Sequence, residues 1–479
     1  YWKDGVDITV IHDKSQGSIA VGESTTPYIH AFLTFCGISE KDLIRDLDVT
    51  IKLGINFKNW IPDTEYFHGF GQITGQNGWN KLRSSDPSAT YSILNDVYSG
   101  GSLYNEPMTK VPTTIFDNFS HALHIDTRQF TDYLYEKLNG DIKFVDDVVT
   151  RVRVNTECTK IESVECKYNG IFDADYFIDA SGFNTILFKH LNPKWNDMSK
   201  YLPIDRAIPQ QIPYDFKDEL PSYTLAEATD NGWIWRIPIG DRYGTGYLYS
   251  SKFTSDEEAR EKYNDWLVEN FDTELTSDRI IKYRPGYYED YWMGNCLAVG
   301  LSSGFVEPLE STGIHIIIKQ IQEFINYNSN LKNLEFNRKS ANLINKNIYV
   351  DVVNFVALHY NTNRTDSEFW KHVKDNKPDW VKDIDEKIRE GSVDASIYRN
   401  NPLSSLWTLD SYVQVTNGLK MISKESIQNH LNSKPEGNGV FASGEQILEV
   451  CKNMHDCEVS EKNNQIFVSH KGIIDSIHK

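Results

Sequence analysis

The sequence predicts an α/β chain whose last third is mainly helical, and three observations carry that reading. Asp7-Ile8-Thr9-Val10-Ile11 is a β-branched run of the kind found in buried strands. Tyr176-Phe177-Ile178-Asp179-Ala180-Ser181-Gly182 is an apolar strand that ends in a small-residue turn, where backbone can come close to a cofactor. From about residue 326 onward, helix formers mix with Asn, Lys and Asp.

The first strand closes on His12-Asp13. A dinucleotide-binding fold puts a strand, a Gly-rich turn and a helix ahead of such an element, and no G-x-G-x-x-G stands there. A first βα unit is therefore expected to be missing from this chain. Asp13 is a displaced candidate for holding ribose hydroxyls, or it opens a surface turn with Lys14 and Gly17. Val21-Gly22-Glu23-Ser24-Thr25-Thr26-Pro27 is a small-residue turn before the amphipathic run Tyr28 to Phe35. Ser and Thr suit a helix cap, Pro suits the first turn, and the free amides suit an anion.

Residues 49–60 alternate as one strand. Residues 127–138 read as a helix, with Phe130, Tyr133, Leu134 and Leu138 at helical spacing, and Thr150 to Cys166 reads as a β-meander. Gly232-Trp233-Ile234-Trp235-Arg236-Ile237-Pro238 sets two indoles two residues apart, so both point to one face of a sheet. Bulky core filling is the commoner reason for such a pair. A strand at Cys296 to Val299 enters a glycine turn, then Pro308, then Ser311-Thr312-Gly313 and a helix. Exposed amides at that helix start make an anion site without a basic side chain, and an ordinary capped helix is the plain alternative. Lys371 to Arg389 reads as an exposed helical stretch, and Gln465 to Ser469 as a short strand in a polar tail.

Bulk composition narrows the function classes. The 479 residues suffice for one large domain or two to three ordinary ones. A net charge of −19 repels phosphate backbones and anionic lipid, which excludes nucleic acid and membrane surfaces as main partners. Six scattered cysteines are no disulfide framework, and no run of 18 apolar residues or signal peptide occurs, so a cytoplasmic protein is expected. Cys451 and Cys457, with His455 between them, fit no standard zinc spacing.

Four segments together resemble the flavin-dependent halogenases of the tryptophan halogenase family. They are the G-W-x-W-x-I-P run, Gly22 to Thr25 (similar to G-V-G-E-A-T), Gly300 to Ile314 (similar to G-L-S-S-x-F-x-E-P-L-E-S-T-G-I), and Phe355 to Tyr360 followed by Arg364 to Trp370. The resemblance implies a flavin-monooxygenase-like FAD-binding module over residues 1–325 and a mainly helical substrate-side part over 326–479. It implies that FADH2, delivered by a separate flavin reductase, reacts with oxygen and turns halide into hypohalous acid. That acid passes through the protein to an aromatic substrate, where a lysine delivers the halogen and a carboxylate stabilises the cationic ring. Carried over residue by residue, Glu310 is the catalytic carboxylate, and Thr312 and Gly313 touch the halide (chloride, bromide or iodide). Gly22, Glu23, Ser24, Thr25, Asp179, Ser181, Gly182, Trp233, Trp235, Gly300, Leu301 and Ile314 line the cofactor. The segment Phe355 to Trp370 is read as structural.

The chain departs from the family at the lysine. The family pattern K-x-G-I-K-F-x-x-W falls on Lys52 to Trp60 and sets the catalytic position at Asn56. An amide cannot form a haloamine. Transfer is then impaired, or hypohalous acid is released, or Lys58 or Lys52 substitutes from what alternation makes the same strand face. His68, Phe70 and Trp407 match substrate-binding positions, with Phe70 and Trp407 able to sandwich a flat ring. Pro402, Leu403 and Ser404 replace the acidic and tyrosine residues that hold an amino-acid head group, so an indole- or phenol-like arene is expected rather than free tryptophan. A hydroxylating monooxygenase of the same superfamily and a silent flavin-binding protein are the alternatives, and a homo-oligomer is compatible with the sequence.

Overall fold

The computed structural model describes residues 6–16, 22–70, 110–112, 115–116, 120–138, 140–217, 219–328, 334–392, 395–398, 406–423, 426 and 467–478. A seven-stranded sheet organises it, in the order Ile281–Lys282, Arg206–Pro213, Arg242–Tyr249, Gly232–Ile239, Tyr223–Ala228, Gly54–Lys58 and Glu65–Gly69. All pairings are antiparallel except that of Tyr223–Ala228 with Gly54–Lys58. Both faces are covered, so alternate residues enter different cores. Trp233, Trp235, Ile237 and Ile239 join one core with Ile55, Phe57 and residues of the helix Leu334–His359. Ile234 joins the other core, with Tyr243, Tyr247 and residues of the helix Asp256–Phe271. The two indoles thus share one face, and glycine makes room for them. Trp235 pairs with Gly246, where a Cβ would lie 2.0 Å from the indole ring.

Beside this sheet lies a three-stranded one, Glu23–Ser24, Ala122–Ile125 and Thr50–Lys52. The alternating run 49–60 is therefore not one strand. It breaks at Leu53, leaving Lys52 paired with Ala122 while Gly54 pairs with Gly69 in the larger sheet. Gly54 permits the crossing, because a Cβ there would meet the His68 carbonyl at 2.4 Å. Lys52 and Asn56 consequently do not share a strand face, whereas Asn56 and Lys58 do.

The parallel pair Phe177–Asp179 and Cys296–Ala298 ends in two small-residue turns that lock together. The meander forms as Val149–Val154, Ile161–Cys166 and Gly170–Phe172, and the helix Thr127–Leu138 forms as expected. Three readings need correction. The first strand, Thr9–His12, pairs in parallel with Lys143–Asp146, and its residues are exposed to half-buried because one face stays open. Lys371 to Arg389 is two amphipathic helices, Glu368–Asp375 and Asp379–Arg389, separated by Pro378 and burying Val373, Val381, Ile384 and Ile388. The composition change at 326 falls inside the helix Thr312–Asn328, which is no break in structure.

The tail strand is present as Phe467–Ser469 against Lys110–Pro112. Cys36, Cys158, Cys166 and Cys296 are unpaired. Gly17, Pro402 to Ser404, Cys451, His455 and Cys457 lie outside the described residues. No described helix is long and apolar enough to cross a membrane.

Candidate active site

The turn after Cys296–Ala298 builds the site. Gly300 takes a φ of 61°, and the chain makes short 3-10 turns at Gly300–Ser302 and Pro308–Glu310. Ser311 adopts a left-handed φ of 60°, and the helix Thr312–Asn328 begins. The first amides of a helix have no intrahelical acceptor and carry its positive dipole end. Gly313 is exposed there, and a Cβ would meet nothing within 4 Å, so the backbone faces open space. Thr312, by contrast, is buried.

Glu310, 3 % exposed, is held from two sides. The Nδ1 of His68 lies 3.0 Å from both carboxylate oxygens. The Nε2 of His359 stands 2.8 Å from Oε1 as an ion-pair contact, while its Nδ1 faces the Phe355 carbonyl at 2.9 Å. Burial alone would raise the Glu310 carboxyl, but the two imidazoles hold it at about 2.

Lys52 is the lysine that reaches this centre. Its Nζ donates to the Ser311 hydroxyl at 2.9 Å and to the Thr25 carbonyl at 3.0 Å, and lies over the Phe70 ring at 5.2 Å. It is fully buried, and burial drops its amine to about 7 despite the opposing pull of Glu310. Asn56 instead donates to Glu65 at 2.9 Å on the neighbouring strand. Lys58 is half-exposed and pairs with Glu227 at 3.0 Å, a carboxylate that also accepts from Trp266. Neither is among the described contacts of Glu310.

The proposed cofactor residues fall into two groups. Some leave backbone or surface open to a flat ligand. Gly22 has a φ of 81° and a Cβ there would strike Ile239 at 2.5 Å. Glu23 is half-buried, yet set deeply enough that burial raises its carboxyl to about 7. Gly182 faces open space, and Gly300, Leu301 and Ile314 are part-exposed. These features fit a flavin lying against the turn, with a small anion at the helix start.

The others are engaged by the protein itself. Ser24 bonds Thr224, and Thr25 exchanges hydrogen bonds with Leu123. Asp179 accepts from Ser181, Ser302, Leu187 and Phe188, so its carboxylate organises the turn. Trp233 and Trp235 are buried in the core, with the Trp233 indole donating to Glu307 at 3.1 Å.

On the other side of Glu310, the Phe355 ring packs edge-on to His68 and stacks on Trp407 at 4.1 Å. Phe70 and Trp407 therefore border Glu310 by different routes. Sequence reasoning gave no chemistry to the Phe355–Tyr360 segment, yet His359 and Tyr360 touch the two glutamates of the turn. A histidine in an otherwise apolar helix stretch was the available signal.

The sequence profile of the tryptophan halogenase family matches residues 1–434. Tryptophan 7-halogenase RebH of Lentzea aerocolonigenes is 30 % identical over 468 residues, 87 % of this chain and 85 % of the relative. Among solved structures, Tar14, a tryptophan C-6 flavin-dependent halogenase (chlorinase) from taromycin biosynthesis, superposes with a TM-score of 0.82 at 26 % identity, covering 99 % of this chain and 94 % of that one. The tryptophan halogenase of Shewanella frigidimarina has the same fold, with a TM-score of 0.83 at 23 % identity over 99 % of this chain and 91 % of that one.

Proposed function

The chain belongs to the tryptophan halogenase family, a family of flavin-dependent enzymes, and from that premise we propose that it oxidises halide with FADH2 and oxygen and puts the halogen on an electron-rich arene through Lys52. The observation that carries this is the convergence of Lys52, Ser311 and Glu310 at the start of the helix Thr312–Asn328. When bound, reduced FAD supplies the electrons with which oxygen takes halide to the hypohalous level. The Thr312 and Gly313 amides hold the halide.

Lys52 is buried with an amine near 7, so a large fraction is neutral at neutral pH. A neutral amine takes the halogen from hypohalous acid, forming an N–X bond and releasing water. The arene then takes the halogen, and the amine is restored when the ring proton leaves. Glu310, held at about 2, is anionic throughout and a weak base. Its part is to stabilise the cationic ring rather than to remove the proton. Asn56 and Lys58 carry no step in this scheme.

The decisive experiment compares Lys52→Ala, Lys58→Ala and Asn56→Lys with the unaltered chain, supplying FAD, a flavin reductase and each halide. Lys52→Ala should stop arene halogenation while a scavenger still detects halide-dependent hypohalous acid. Retained halogenation in Lys52→Ala, or its loss in Lys58→Ala, overturns the assignment. The substrate we favour is an indole- or phenol-like arene other than free tryptophan, because no acidic or tyrosine residue stands at 402–404. A substrate panel in which tryptophan alone is turned over would contradict that.

A further inference from the structure

Away from Glu310, three segments bring two imidazoles and a carboxylate together. His30 is the second residue of the helix Ile29–Cys36, Glu40 is the first of the helix Glu40–Asp46, and His121 precedes the strand Ala122–Ile125. One ligating atom from each lies within 4.8 Å of the others. His121 Nε2 is 2.6 Å from Glu40 Oε1, and His30 Nδ1 is 3.8 Å from Glu40 Oε2.

The hydrogen bonding fixes which nitrogen of His30 is available. Its Nε2 lies 3.1 Å from the His121 carbonyl, which can only accept, so Nε2 carries the proton. Burial lowers the His30 imidazole from its usual value, favouring the neutral ring. Its Nδ1 lone pair then sits beside a carboxylate oxygen, a juxtaposition that a cation between them would relieve. A ring whose second nitrogen is tied to a backbone carbonyl is the usual arrangement of a metal-ligating histidine.

We propose that His30, Glu40 and His121 form a binding site for one divalent late transition metal of the zinc class. Two neutral imidazoles and one carboxylate are a borderline-soft N2O donor set, which suits zinc over calcium or magnesium. Metal–ligand bonds of about 2.0–2.1 Å put tetrahedral ligand atoms about 3.3 Å apart, between the two separations seen here. Small side-chain rotations would close the shell. His30 keeps 30 % of its side-chain surface, which leaves room for entry and for a water as fourth ligand.

The metal would staple two helices to the segment leading into Leu123. Leu123 bonds Thr25, and Thr25 accepts from Lys52, so the staple would steady the wall that holds the amine.

The test uses the full chain, produced without a polyhistidine tag and stripped with a chelator. Calorimetric titration with zinc should give one equivalent per chain at micromolar affinity or tighter, and cobalt should give visible bands of low-coordinate Co(II). His30→Gln and Glu40→Gln should each weaken zinc at least about tenfold and bleach the cobalt bands. Zinc should raise the Tm of the unaltered chain and not of these variants. Circular dichroism shows whether each variant is folded, and His121→Gln replaces any that is not. Binding weaker than micromolar in the unaltered chain, or binding that the substitutions leave unchanged, overturns the proposal.

Discussion

Glu307 and Glu310 stand three residues apart in one turn, both buried, and their surroundings drive them to opposite charge states. Glu307 meets aromatic donors. The Trp233 indole and the Tyr360 hydroxyl bond one oxygen, while the other finds no donor among the described residues. Burial dominates, and the carboxyl rises to about 7. Glu310 meets His68 and His359, with Lys52 close by, and falls to about 2. Depth alone does not decide the charge of a buried acid. Neutral donors leave desolvation in command, whereas groups that can carry positive charge outweigh it. One turn thereby holds a neutral brace against the tryptophan core and a permanent anion at the reaction centre.

The largest expected effect comes from removing the amine that faces the anion. Lys52→Ala should lower kcat for halogenation by at least about 10³-fold, while Lys58→Ala and Asn56→Lys change it little. In the unaltered chain kcat should rise with pH through about 7, because the neutral amine gains there. A flat profile would separate halogen transfer from Lys52.

Glu310→Gln comes next. It keeps the shape and removes the charge that the cationic ring needs, for an expected loss of about 10² to 10³ in kcat. Glu307→Gln should leave kcat within about threefold, since Glu307 is already neutral near working pH. Equal losses in the two variants would remove the contrast between these carboxylates.

The same contrast sets opposite pH limits on stability. Glu310 has a folded value below its ordinary 4.5, so its contribution is complete above 4.5 and is lost as pH falls towards about 2. Glu307 has a folded value above 4.5, so its neutral form is favoured by folding, and stability declines as pH rises from 4.5 to about 7. At about 1.4 kcal/mol per pH unit, that decline is on the order of 3 kcal/mol. Denaturant unfolding at pH 5 and pH 8 should show a smaller alkaline loss in Glu307→Gln. Glu23, also raised to about 7, keeps its own share in that variant.

Much of this was legible in the sequence. The glycine turn, Pro308 and the Ser-Thr-Gly start of a helix announce the anion nest directly, because each residue type answers a backbone need. The period-2 spacing of Trp233 and Trp235 likewise predicts their common face. The lysine was not legible from alternation. Counting by twos assumes one unbroken strand, and the chain changes sheets at Leu53-Gly54, so Lys52 leaves the face that Asn56 and Lys58 keep. The histidines of the site were hidden for another reason. A buried His in a strand or helix reads like any core position until its partner, more than two hundred residues away for His68, is placed beside it.

The smallest effect bears on the aromatic half of the comparison. Trp235 lies across Gly246, where a Cβ would stand 2.0 Å from the ring. Gly246→Ala must therefore push the indole or the strand aside, at an expected cost of about 1–3 kcal/mol. Trp233, two residues along the same face, would shift with the strand and loosen its bond to Glu307. Because Glu310 is gripped by His68 and His359 rather than by the indoles, the low-pH limit of stability should stay in place while the alkaline decline changes. A Gly246→Ala chain whose acid limit moves instead would mean that the two carboxylate environments are mechanically one.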